Sequence, residues 1–208
     1  MNTQPKQKIS VQTLTQLAIL VAIEVVMKLI GLGSVPVGPL YMSFLTVPIA
    51  IGAIVIGPMA SMLLGGIFGF VSFMDAIKGA SIMTSTLLGV SAVHTFILCF
   101  GMRLLMGLCV GIVYRAMTKA CKNGTANCFV ASLSAPLLNT LFSWAISLVF
   151  YHTDYVQALS WLRASNPLMF VVLLTGVQGL VEVVVCSVAG TAIGGALLKV
   201  TGRMNGHR

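Results

Sequence analysis

VPIAIGAIVIGPMASMLLGGIFGF, residues 47–70, contains no charged side chain. Its one break is Gly57-Pro58, where a ring-locked residue without an N–H follows the most permissive backbone in the alphabet. A helix that is apolar on every face has no side to offer water. The stretch therefore reads as the end of one membrane helix, a tight turn, and the start of the next.

The rest of the chain has the same character. Of 208 residues, 58% are hydrophobic and 8% are charged, and the mean hydropathy is +1.02. Soluble domains carry about a quarter charged residues, so this chain cannot cover a water-facing surface. Crossing a bilayer takes roughly 20 apolar residues. Runs of that scale lie at 11–31, 40–56, 58–77, 91–120, 126–151 and 168–199. The fold expected is all-α: one integral membrane domain, 1–208, built as a compact bundle of about six transmembrane helices. The first run has the basic flank of a signal peptide, but it exceeds an h-region in length and carries Glu24 and Lys28, so it reads as a retained helix.

The formal net charge of +8 does not indicate nucleic acid, because no basic stripe is interleaved with aromatics. Lys6 and Lys8 precede the first run; Arg115, Lys119 and Lys122 follow the fourth; Lys199, Arg203 and Arg208 close the chain. Basic residues gathered at alternate segment ends follow the positive-inside rule. They place both termini in the cytoplasm of a multi-pass cell-membrane protein, with Lys78 and Arg163 outside. The plasma membrane of a bacterium is the expected location. The five cysteines show no CxxC spacing and read as small hydrophobes. Asn123-Gly124-Thr125 matches a glycosylation sequon beside basic, cytoplasmic residues, where the match is fortuitous.

Small residues four apart recur: Ser61-xxx-Gly65-xxx-Gly69, Gly107-xxx-Gly111, Gly190-xxx-Gly194 and Ala18-xxx-Ala22. Such stripes let helix backbones approach closely in lipid. The first three are expected to pack inside the bundle. The fourth suits either internal packing or a partner subunit.

No phosphate loop, nucleophile elbow or HExxH helix is present. The protein is not expected to be an enzyme, and no cofactor or metal site is indicated. If the bundle drives uptake, ATP is used by another polypeptide. Polar residues within the apolar runs are costly in lipid and mark function. Glu24 and Lys28, four apart, are expected to pair locally. Arg103, Asn139 and Glu182 fall near the middle of their runs at comparable depth. Asn139 shares a face with Ser132, Pro136 and Ser143, and Glu182 with Thr175 and Gln178. Two readings stay open: Arg103 and Glu182 neutralise each other, or these helices wall a polar-tipped substrate pocket. His94 is an interfacial residue or a substrate contact. Asp75 and Lys78 are expected to cap the third run or meet solvent. Trp144, Tyr151, Tyr155 and Trp161 form an aromatic belt or a lid.

Together with the six runs, three features carry a resemblance: Ala18-xxx-Ala22, residues 47–70, and RLLMGLCVGIVYRAM at 103–117. The chain resembles the substrate-binding S components of energy-coupling factor (ECF) transporters along essentially its whole length. HTFILCFGMRLLMG at 94–107 and GLVEVVV at 179–185 look most like the pantothenate-type members. The resemblance implies capture of a vitamin and its delivery to a transmembrane coupling subunit and two ATPase subunits, with Ala18 and Ala22 as the docking face. It also implies substrate contacts from among Arg103, Asn139, Gln178, Glu182, His94 and Trp144. Pantothenate, a carboxylate with hydroxyls and an amide, suits that set. Folate, riboflavin, a hydroxymethylpyrimidine, or a self-sufficient proton-coupled carrier are the alternatives.

Overall fold

The computed structural model describes residues 11–33, 35–37, 40–80, 82–149 and 167–200. Helix α1 (Val11–Leu29) leads into a short antiparallel hairpin, β1 (Val35–Val37) with β2 (Leu40–Met42), in which Val35 pairs with Met42 and Val37 with Leu40. Then follow α2 (Thr46–Val55), α3 (Pro58–Ile77), α4 (Ile82–Val90) and α5 (Ala92–Phe96). A π-helical turn (Ile97–Gly101) joins α5 to α6 (Met102–Ala120); α7 (Gly124–Val149) and α8 (Pro167–Val200) complete the order. Four helical stretches of the described residues are long and apolar enough to cross a membrane: Val11–Leu29, Pro58–Ile77, Ala92–Ala120 and Gly179–Val200.

Three boundaries differ from the hydropathy reading. The run at 40–56 is not one helix: Leu40–Met42 is a strand, and α2 spans 10 residues. Hydropathy registers how apolar a segment is, and β2, Leu-Tyr-Met, is apolar enough to merge with the helix that follows. Residues 82–90 form a helix where the sequence suggested a connection. The run at 91–120 is helical throughout but interrupted by the π turn at Ile97–Gly101; Ser91 caps the α5 that precedes it, its Oγ accepting the His94 N–H.

The α2–α3 turn behaves as its residues require. Gly57 has φ 127, a region that L side chains avoid, and Pro58 occupies the first helical position, where its missing N–H is no loss. Ile56 and Gly57 both donate to the Gly52 carbonyl.

The seam between α3 and α6 uses the small residues of both helices. A Cβ on Gly107 would strike the Ser61 carbonyl, one on Gly111 the Pro58 backbone, and one on Gly65 the Arg103 carbonyl. Gly69 lies equally close to the backbone of Cys99 and Phe100. The order of these contacts makes the two helices antiparallel. Gly190 of α8 abuts Ser132 of α7, and Gly194 abuts Ile54 of α2. These three stripes are internal packing, as their spacing suggested. Around them the core gathers Ile49, Ala50, Ile54, Leu64, Phe68, Met106, Val110, Ala131 and Cys186, all buried.

Ala18 and Ala22 have the opposite fate. Helix α1 rests on α2 and α3 through Leu17, Leu20, Val21 and Met27. Ala18 and Ala22 face outward with Leu14, Ile19, Ile23 and Val26. The sequon also resolves: Asn123 Oδ1 accepts the N–H groups of Thr125 and Ala126, so this asparagine caps α7. All five cysteines are free thiols.

Candidate functional site

Two polar residues of the apolar helices, Arg103 and Glu182, form a polar layer within electrostatic reach of one another. Arg103 stands in the first turn of α6, just past the π turn. Its Nη1 donates to the Cys99 carbonyl at 3.2 Å, and its guanidinium lies 4.4 Å from the centroid of the Phe68 ring. The closeness of α3 to α6 at Gly65 and Gly69 makes that stacking possible. Attraction between a guanidinium and the ring face holds the cation without neutralising it. Arg103 Nε is buried with no hydrogen-bond acceptor. A π turn beside a functional group is a recurrent arrangement, and here it supplies the carbonyl that orients the arginine.

Glu182, on α8, is 3% exposed. It accepts a hydrogen bond from Thr46 Oγ1 at 3.3 Å. Thr46 is fully buried at the start of α2, so the hairpin-to-helix transition sets the carboxylate's donor. Arg103 is within electrostatic reach of Glu182, yet the two form no ion pair. Mutual neutralisation by contact, one of the two readings of this pair, is therefore not what the fold builds. Both groups keep hydrogen-bonding capacity that a guest could take up.

The pairing expected within α1 is also replaced. Lys28 bonds to Asp75 at the end of α3 in a part-buried ion pair, while Glu24 is left out. Asp75 thus ties two helices instead of capping its own, whereas Lys78 does take the C-cap position and is exposed. A helix cannot show from its own spacing that a better-placed carboxylate lies on a neighbour. Glu24 is 2% exposed, and neither carboxyl oxygen has a hydrogen-bond partner.

Asn139 is half-buried on α7, its carbonyl accepting from Ser143 Oγ at 2.8 Å. The next residue, Thr140, approaches Gly179 of α8, one turn before Glu182. Asn139 therefore lies at a depth close to that of Glu182. His94 is half-buried in α5, two turns before Arg103. The side chains of Gln178 and Trp144, together with Tyr151, Tyr155 and Trp161, lie outside the described residues.

The fold thus brings Arg103 and Glu182 into one layer, with Asn139 near it. It adds Thr46 and Phe68, which sequence reasoning did not single out. Thr46 carried a faint signal as a lone hydroxyl between Leu45 and Val47 in an apolar run. Phe68 carried none beyond its place between Gly65 and Gly69, because one phenylalanine among ten is unremarkable until an arginine is seen on its face. Among the described residues no group of His, Cys, Asp and Glu could hold a metal ion.

Residues 12–193 match the family model described as "ECF transporter, substrate-specific component". No curated protein matches the chain.

Proposed function

The chain belongs to the substrate-specific components of ECF transporters, and from that premise we propose that it captures pantothenate and passes it to a shared coupling module. The observation that carries the cargo reading is Arg103. A membrane-embedded guanidinium, oriented by one carbonyl and one ring and in no ion pair among the described residues, is suited to a carboxylate guest. In this reading Asn139, Gln178, Thr46 and Glu182 supply amide, hydroxyl and carboxyl groups for a guest's hydroxyls and amide. His94 and Trp144 are further contacts in this reading.

The docking reading rests on α1. Ala18 and Ala22 sit on an outward apolar face that no helix among the described residues covers, which fits a transmembrane coupling subunit approaching closely. Two ATPase subunits then supply the energy, and this chain performs no chemistry. The membrane is a bacterial plasma membrane, crossed six times, with both termini cytoplasmic as the basic residues direct.

The test is thermal unfolding of the purified protein in detergent against a panel of B vitamins. A ligand that binds the folded state alone raises the melting temperature. Pantothenate is expected to give a saturable rise, and Arg103→Ala to shift its midpoint by about tenfold or more, the worth of a hydrogen bond to a charged group. A response to folate, riboflavin or a hydroxymethylpyrimidine instead would keep the family role and replace the cargo. A well-folded protein that answers to none of them refutes capture.

A further inference from the structure

Glu24 is an anomaly in an otherwise satisfied helix. Buried polar groups are normally hydrogen-bonded, and an unpartnered carboxyl in a membrane interior is among the most expensive side chains to keep. The depth of Glu24 can be fixed from its neighbours. One turn before it, Leu20 meets Leu64 across the position of Gly52. One turn after it, Lys28 meets Asp75. Interpolating along α3 between Leu64 and Asp75 puts Glu24 level with Gly69 and Phe70, within a turn of Phe68, the ring that carries Arg103. Glu24 therefore lies at a depth comparable to that of the polar layer already described, and its exposure of 2% directs it inward, not to lipid.

The cations of this region are engaged elsewhere. Lys28 is on Asp75, and Arg103 lies over Phe68, within electrostatic reach of Glu182. What Glu24 lacks is a hydrogen-bond donor, and the described residues offer it none. We propose that Glu24 is a substrate-contacting residue, accepting O–H or N–H groups from the end of the ligand remote from Arg103. This inference rests on the capture reading and narrows it. The cargo is a small molecule with an acceptor or acidic group at one end, held by Arg103, and hydroxyl or N–H donors at the other, held by Glu24. Pantothenate, with its hydroxyls distant from its carboxylate, meets that description.

The decisive experiment compares wild type, Glu24→Leu and Glu24→Gln by thermal unfolding of the full chain in detergent, with pantothenate and with an analogue lacking its two hydroxyls. Without ligand, Glu24→Leu is expected to melt above wild type, because an unpartnered carboxyl is replaced by an apolar side chain of similar bulk. Its pantothenate midpoint is expected to rise about tenfold or more, with Glu24→Gln, which keeps an acceptor oxygen, in between. The dehydroxylated analogue should bind wild type more weakly by a similar factor and lose nothing further in Glu24→Leu. A Glu24→Leu protein that melts normally and binds pantothenate at the wild-type midpoint overturns the inference alone. Should Glu24→Leu fail to fold, an unchanged midpoint in Glu24→Gln together with an undiminished analogue does the same. A wild-type protein unmoved by every vitamin overturns the capture reading, and the role of Glu24 falls with it.

Discussion

Gly107 and Gly111 on α6 and Ala18 and Ala22 on α1 follow one spacing, yet the first pair is sealed against Ser61 and Pro58 while the second faces outward. On the α6 side every atom of the approach is used. The glycine positions admit a neighbouring backbone so close that no Cβ fits, and the seam runs from Pro58 to Gly69. On the α1 side no helix among the described residues covers the same device. In lipid there is no hydrophobic force to hide an apolar stripe, so an outward small-residue face can persist until another helix arrives. The difference separates what holds the bundle together from what it can offer to another polypeptide.

The largest effect is expected at the sealed stripe. Gly107→Val forces a branched side chain into the Ser61 carbonyl, which is backbone and cannot swing aside. Overpacking of ordinary side chains costs about 1–3 kcal/mol, and a clash with backbone should exceed that. Loss of folded, monodisperse protein in detergent is the outcome to look for; a normal melt would mean the seam is looser than its contacts imply. The open stripe should behave in the reverse manner. Ala18→Trp is expected to leave the melt and vitamin binding intact while abolishing uptake in cells that carry the coupling module. Equal loss of binding would place the alanine in internal packing and erase the contrast.

A smaller effect tests how α1 is fastened. Lys28→Ala removes the ion-pair partner of Asp75 at the end of α3, and breaking a part-buried pair by removing one partner should cost about 1–3 kcal/mol. The double variant Lys28→Ala/Asp75→Ala should recover part of that, since it removes both charges together. If the double variant is no better than the single one, the pair is not what joins these helices. The smallest effect belongs to Thr46→Val, which keeps the shape and removes the donor to Glu182. About 1–2 kcal/mol of stability should go, seen as a modest fall in melting temperature.

Legibility followed the physics of each signal. The apolar runs and the Gly57-Pro58 break could be read from the chain because they depend on solvent and on local backbone freedom. The run at 40–56 misled because β2 is apolar enough to merge with α2, and apolarity does not distinguish a strand from a helix over so few residues. Arg103 and Glu182 stood out in the sequence as candidates because a charge in lipid needs a reason. Their relationship did not, since an ion pair and a shared layer without contact have the same sequence. Glu24 and Lys28 illustrate the point most sharply. A favourable spacing of four predicts a pair, and Asp75, 47 residues away, takes the lysine instead.

What the sequence determined by itself is the kind of solvent this protein lives in, the presence of small-residue stripes, and the short roster of polar side chains that lipid would penalise. These follow from composition and from spacing along one helix, both local quantities. Tertiary structure alone decided which stripe is buried and which faces out, which cation meets which carboxylate, and that Phe68 and Thr46 complete the polar layer. Those outcomes depend on how helices from distant parts of the chain are set against each other, and no single helix carries that information.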